Sequence, residues 1–420
     1  MLDHSELLQT VLRAVGEHER DKRETISLIA TENVLSPLAK AALSTDFAQR
    51  YLLLDNTVWE YPQNSKLFEV ASITEEVIRH LFGANYVNAR PISGLNCMTV
   101  VLAALGKVGD TVYVMDPCAG GHGATGFVAG RLGMAVKYLK FDCSRLDFDL
   151  DGIAADFEAT PPDLVYIDLS TILFPPSLRE LVALCPGSRV YYDCSHVLGL
   201  MLDTTFFSPL KEGCAVAGGS THKTFPGPQR GVILMQEEAL AKAVERYSDS
   251  FISNHHLGSL LALCITAIEM LEFGAALSIQ MRSNARALGS ELMDQGLPVE
   301  TRNGITSGVH QVWLRPDLFG VDSHEATAQL LSAGIVANCA RIPHAPRCGK
   351  GLRFGTSEVT RLGLREAEMG ELARLIADVL VRRRPAAEVA YEVKALRGSF
   401  LTPRFTLAAD ETMVKMSRFA

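Results

Sequence analysis

The stretch GGSTHKTFPGPQRG, residues 218–231, decides how the chain is read. Two glycines and the hydroxyls of Ser220 and Thr221 lead into His222 and Lys223. Pro226, Gly227 and Pro228 then forbid a helix. A solvated lysine needs no such surroundings, since lysine is exposed by default. A rigid loop that holds an amine beside hydroxyls is a setting for covalent chemistry.

Working outward, short apolar runs alternate with helical patterns from about residue 65 to 235. The runs are YVNARPI, TVYVMD, AVKYLKF, LVYIDLS, RVYYDCS, CAVAGGS and GVILMQ. This alternation predicts an α/β fold, with a mostly parallel central sheet and helices on both faces. Residues 3–20 place Leu7, Leu8, Val11, Leu12 and Val15 at helical spacing, which predicts an amphipathic arm. A long helical stretch runs to about residue 295. HQVWLRP and GLRFGTS follow as strands, and LREAEMGELARLIADVLVRR as a late helix. The expected units are an N-terminal helical arm (1–40), a large domain (41–275) and a smaller C-terminal α+β domain (276–420).

The chain has 420 residues and a net charge of −8, which argues against a general nucleic-acid binder. Its first residues lack a basic segment followed by an apolar core, so no signal peptide is expected. No run of 18 or more apolar residues predicts a membrane span. Nine scattered cysteines without a C-x-x-C pair predict reduced thiols, a cytoplasmic setting and no metal framework.

Ligands of open α/β sheets collect beyond the carboxyl ends of the strands. There RVYYD delivers Asp193, with His196 three residues on, and LVYIDLS delivers Ser170. CAVAGGSTHK delivers Ser220, Thr221, His222 and Lys223, and ARPISG delivers Ser93 and Gly94. Pyridoxal phosphate (PLP) needs a Schiff-base lysine, a carboxylate on its ring nitrogen and a phosphate cup. Lys223, Asp193 and the serines meet those needs.

THKTFPGPQRG resembles the cofactor-lysine signature of the serine hydroxymethyltransferase family, whose members are fold type I PLP enzymes. SLIATENVLSP (27–37), LFGANYVNARPISG (81–94), GGHGATG (120–126), YYDCSHVLGL (191–200) and GLRFGTSEVTRLG (351–363) are similar to further family segments, in the family's order. The resemblance implies that Lys223 carries PLP, that Asp193 holds the ring nitrogen protonated and that His122 stacks on the ring. It implies that His196 and Ser170 face the ring hydroxyl, and that Ser93, Gly94, Leu95 and Ser220 surround the phosphate. His222 would orient substrate or relay a proton, and Arg353 would bind the α-carboxylate, which suits a guanidinium fork. A homodimer or dimer of dimers with shared sites is implied, with a small amino-acid substrate and neither nucleic acid nor membrane as partner.

The chain departs from the family in places. A Tyr-Ala-Glu-Gly-Tyr signature that carries a catalytic Glu in folate-using members is matched to FAQRY (47–51), with Phe47 for the Tyr and Gln49 for the Glu. An amide does no acid–base work near neutral pH. The next element reads EYPQ (60–63), which keeps Tyr61 and introduces Glu60 as a candidate catalytic and substrate-binding pair. The loop that a partner subunit lends to the phosphate reads FISNHHLGSL (251–260), with Ser253 and Asn254 as candidate donors and His255 and His256 beside them. The pterin-side loop reads RIPHAPRCGKG (341–351) and carries His344.

These departures predict a folate-independent PLP enzyme acting on a Cβ-substituted α-amino acid through a Cα carbanion. Two chemistries fit: β-elimination or decarboxylative deamination, as in similar enzymes of lincosamide biosynthesis, and retro-aldol exchange, as in threonine transaldolases. Folate-dependent hydroxymethyl transfer is the alternative, and a non-catalytic scaffold is another. A NAD oxidoreductase is suggested only by GHGATG (121–126), with Asp142 further on as ribose ligand. Asp116, Pro117, Cys118, Ala119 and Gly120 separate that match from its strand, which argues against a dinucleotide loop.

Overall fold

The computed structural model describes residues 3–52, 65–344 and 348–408. Seven strands form the central sheet in the order Tyr86–Asn88, Gly231–Met235, Val216–Ser220, Arg189–Asp193, Leu164–Ile167, Thr111–Met115, Ala135–Leu139. The last five run parallel, and Gly231–Met235 is antiparallel to both neighbours. Each strand matches one of the apolar runs read from sequence.

Alternate residues of each strand enter different cores, as a two-residue period requires. Tyr113, Val165, Tyr192 and Leu234 face one core, and Val112, Tyr166, Tyr191 and Ile233 face the other. Burial on both faces explains why these runs are nearly all apolar instead of alternating. The helices Ser65–Phe82 and Leu257–Asp294 cover the first face. Gly94–Leu105 and Glu238–Phe251 cover the second.

The helix Leu257–Asp294 spans 38 residues and is long and apolar enough to cross a membrane by composition. Its Leu260, Leu263, Met270, Leu277 and Met281 instead pack into the sheet's core. A helix apolar around most of its surface is what a central core position requires.

This helix continues toward a second core beneath a three-stranded antiparallel sheet, ordered Gln311–Leu314, Cys348–Gly355, Asn338–Pro343. Leu352, Phe354, Leu372 and Ile376 are buried there, the last two from the helix Glu366–Leu380. The N-terminal segment is stitched to this region, with Ile26–Ser27 pairing parallel to Ile335–Val336. The first helix, His4–Glu24, is capped by Asp3 and buries none of its residues. Its Leu7, Leu8, Val11, Leu12 and Val15 are each half exposed or more.

One buried ion pair ties the long helix to the C-terminal unit. Glu269 and Arg361 are both fully buried, with Nη2 3.1 Å from Oε2. Removing one partner strands a buried charge, whereas replacing both with apolar groups does not. We expect Arg361→Met to destabilise the fold by about 3–5 kcal/mol, read as a fall in Tm. The double variant Glu269→Leu/Arg361→Met should regain most of that loss. A double variant no better than the single would show that the pair's charge is not what matters.

Candidate active site

The carboxyl ends of Leu164–Ile167, Arg189–Asp193 and Val216–Ser220 point the same way, because the three strands are parallel. Lys223 lies three residues beyond the last of them. Its loop is closed by its own backbone: Gly227 N donates to Thr221 O at 2.9 Å, and Thr221 Oγ1 donates to Pro228 O at 2.7 Å. Asn33, from the N-terminal segment, donates to Lys223 O at 2.7 Å. The amine is therefore carried on a fixed base.

Burial pulls the Lys223 pKa down to about 8; Asp193 opposes this and Arg353 reinforces it. His196 is buried, and its Nε2 lies 3.4 Å from Lys223 Nζ. Burial, then the Lys223 and Arg353 charges, hold its imidazole well below the ordinary range. His310 stacks on His196 with ring centroids 5.7 Å apart. His222 is lowered to about 4 by burial and by Lys223, and its buried Nδ1 finds no partner among the described residues.

Asp193 stands at the end of its strand. Its Oδ1 accepts from Ser195 N at 2.8 Å. Gly219, at φ +139°, makes this approach possible, since a Cβ there would stand 2.6 Å from Asp193 Oδ1 and 2.4 Å from Ser195 Oγ. Ser195 Oγ in turn accepts from Ser220 N at 2.8 Å.

The serines and Gly94 form a cradle. Ser93 caps the helix Gly94–Leu105: its Oγ accepts from Asn96 N at 3.1 Å, and its carbonyl from Cys97 N at 3.0 Å. That leaves the Gly94 and Leu95 amides at a helix N-terminus, a setting that favours an anion. Ser220 faces the same point, 3.1 Å from where a Gly94 Cβ would sit. Its buried Oγ has no partner among the described residues. An orphan hydroxyl beside two open amides fits a phosphate.

Arg353 is buried in the strand Cys348–Gly355 and donates to Ser170 O at 3.1 Å. Burial lowers it to about 10, and it has no carboxylate partner among the described residues. A buried guanidinium in that state is set to receive an anion. Ser170 contributes its carbonyl here: Gln311 Nε2 also donates to it, at 3.1 Å.

His122 is exposed on the loop after Thr111–Met115, and partial burial lowers its pKa, against Asp193. The glycines before it are not a dinucleotide turn. A 3-10 turn, Pro117–Ala119, intervenes, and Gly120 follows at φ +94°. Gly120 O accepts from Ser170 N and Thr171 N, which fastens this loop to the neighbouring strand's exit. Asp142 accepts from Ser144 and Arg145 in its own turn, which leaves no ribose role for it.

Several predicted residues stand apart from this cluster. No hydrogen bond among the described residues joins Gln49, Ser253 or Asn254 to it. Gln49 is exposed on the 3-10 turn Asp46–Gln49. Asn254 Oδ1 accepts from His256 N at 3.1 Å. His255 is buried, with Nε2 3.2 Å from Leu52 O. Glu60 and Tyr61 lie outside the described residues.

Other residues at the site had no role assigned from sequence. Gln311 is one. Arg230 is another: it is fully buried and donates to Ala89 O and His256 O at 2.6 and 3.1 Å, joining the phosphate-side segment to the 253–256 turn. Asp168 is a third. It is buried, accepts from Thr125 Oγ1 and, at 3.2 Å, from His122 N, and burial raises its pKa well above the carboxylate range. Its Oδ1 is unpartnered among the described residues. The signal was legible, because LVYID ends on an acid just as RVYYD does.

The profile of the serine hydroxymethyltransferase family matches residues 5–376. The chain is 35% identical over 428 residues to a serine hydroxymethyltransferase of Korarchaeum cryptofilum, spanning 96% of this chain and 98% of that one. It is 36% identical over 421 residues to that of Pyrobaculum arsenaticum, spanning 97% and 96%. Among solved structures, an L-threonine transaldolase from Pseudomonas fluorescens in its internal aldimine state superposes with a TM-score of 0.90. It is 25% identical, with 98% of this chain and 97% of that one covered.

In cofactor-free protein, labelling of Lys223 by an amine-directed reagent should rise with pH to a midpoint near 8. A peptide-mapped midpoint near that of free lysine, about 10.4, would contradict this. Asp168→Asn, which keeps a side-chain oxygen to accept from the His122 amide, should preserve cofactor affinity. Asp168→Ala, which frees the His122 amide, should weaken it roughly tenfold, the effect of one hydrogen bond. Equal affinities in both variants would remove Asp168 from the site's support.

Proposed function

The chain belongs to the serine hydroxymethyltransferase family of PLP-dependent enzymes, and we propose that it splits the Cα–Cβ bond of a threonine-like β-hydroxy-α-amino acid. In this reading the retained amino-acid carbon is re-joined to a second aldehyde, without tetrahydrofolate. The observation that carries the substrate class is Arg353, a buried guanidinium without a carboxylate partner among the described residues, in the pocket of Lys223. Such a group suits an α-carboxylate. The likeness to a threonine transaldolase over nearly the whole chain supports the exchange reaction, and Gln49 in place of an expected Glu supports folate independence.

The residues described above fit PLP. Lys223 would bear it, Asp193 would hold the ring nitrogen, and Ser93, Gly94, Leu95 and Ser220 would hold the phosphate. His122 would cover the ring. His196 and the Ser170 segment would line its hydroxyl edge. Bound PLP supplies the electron sink that stabilises charge at Cα. Arg353 would fix the substrate's carboxylate and so turn its Cβ toward the open side. His222, neutral and with an Nδ1 unpartnered among the described residues, would take the β-hydroxyl proton as the Cα–Cβ bond breaks and the aldehyde leaves. Glu60, Tyr61 and Gln49 would shape the mouth.

The apolar stripe of the first helix supports a homodimer or larger assembly, since half-exposed leucines and valines in a row favour a partner surface. Ser253 and Asn254 would then serve a partner's phosphate. Nine free cysteines support a reducing, cytoplasmic setting.

The purified protein should absorb in the visible through bound PLP, and Lys223→Ala should lose that band. With threonine and an aromatic aldehyde it should release acetaldehyde and yield a new β-hydroxy-amino acid, with no need for tetrahydrofolate. Glycine formation from serine only when tetrahydrofolate is added would overturn folate independence. Pyruvate or thiol release from S-alkyl cysteine would replace the reading by β-elimination.

A further inference from the structure

Gln311 lies on the strand Gln311–Leu314 and is fully buried. All four hydrogen-bonding positions of its amide are used. Oε1 accepts from Trp313 Nε1 at 3.1 Å and from Ile172 N at 3.3 Å. Nε2 donates to Ser170 O at 3.1 Å and meets His196 Nδ1 at 3.1 Å. Three of these partners have no choice of role: an indole N–H and a backbone N–H only donate, and a carbonyl only accepts. They fix which end of the amide is nitrogen. The fourth contact is therefore a donation from Gln311 into the lone pair of His196 Nδ1.

From this we propose that Gln311 is a positioning residue that fixes His196 as the tautomer protonated at Nε2, with that N–H aimed at the Lys223 amine. An imidazolium would set one N–H against another at Gln311, so the same contact disfavours the charged ring. Stacking on His310 holds the ring plane. Nε2–H faces Lys223 Nζ across 3.4 Å, which favours a nitrogen with a lone pair there over an ammonium. His196 is thereby a hydrogen-bond donor at the reaction centre and not a base. Proton transfer at the substrate falls to a different group, and His222 has a nitrogen without a partner among the described residues for it.

The proposal rests on Lys223 being the reactive amine, but the tautomer can be measured without any substrate. The protein is labelled with ¹⁵N-histidine and studied PLP-loaded and after cofactor removal. The His196 signals are assigned by their loss in His196→Asn. Long-range ¹H–¹⁵N correlation should show a bare Nδ1 and a protonated Nε2 in both forms, unchanged between pH 6 and pH 9. In Gln311→Glu, a carboxylate oxygen faces Nδ1, so Nδ1 should gain a proton and the ring should titrate within the accessible range. The Lys223 labelling midpoint should also move. Gln311→Met, which removes the donor and keeps the length, should give a mixture of tautomers. A protonated Nδ1 in the wild-type protein would overturn the proposal, and that measurement stands even if the variants do not fold. Unchanged His196 signals in a folded Gln311→Glu would overturn it too. Failure of the threonine–aldehyde assay, with the tautomer as stated, would sink the reaction and leave Gln311's role intact.

Discussion

The site is governed by the burial of an amine among other nitrogen bases. Lys223 shares its pocket with Arg353, His196, His222 and, behind His196, His310, and the Asp193 carboxylate favours the charged lysine. Charging all these groups at once would be prohibitive in a desolvated space. The pocket resolves the conflict by keeping the weakest bases neutral. His196, His222 and His310 are all displaced downward, and Lys223 is lowered to about 8. Only the guanidinium keeps its charge firmly. The result is an amine that gives up its proton more readily than a free lysine, next to a fixed cation, a field that an anionic group would relieve.

That arrangement needs close approach between loops that are distant in sequence, and glycine supplies it at the decisive point. Gly219 lets Asp193 and Ser195 crowd against the lysine strand, and Ser195 then orients Ser220. On the opposite wall, Gly120 accepts two amides from the Ser170 exit, so the loop bearing His122 is pinned to the strand end that also serves Arg353 and Gln311. The parallel sheet brings the ends together, and these backbone contacts set their spacing.

What was legible from sequence follows the same division. Strand ends are local events: an apolar run closed by a polar residue places that residue at the sheet's edge, so Asp193, His196, Ser220 and Lys223 could be placed together from the chain alone. Asn33 and Gln311 could not. Asn33 reaches Lys223 across 190 residues and Gln311 reaches His196 across 115, and an amide in isolation carries no sign of what it will bond. Gln311 did leave a trace, because it opens an otherwise apolar buried strand, and a buried amide must find partners. Asp168 repeats the strand-end pattern of Asp193, yet the same run also offered Ser170. The structure uses Ser170's carbonyl to hold Arg353 and Gln311, and Asp168's carboxyl to hold the His122 loop.

Two of the positions that single-chain geometry leaves apart, Gln49 and Ser253, sit on surfaces. The first helix also turns its leucines outward. Around Lys223, by contrast, Asp168, His196, Ser220, His310, Gln311 and Arg353 are buried. Gln311 joins two of the others. It touches the Ser170 carbonyl that also receives Arg353 and the imidazole that faces Lys223, so one buried amide contacts both the guanidinium's anchor and the amine's neighbour.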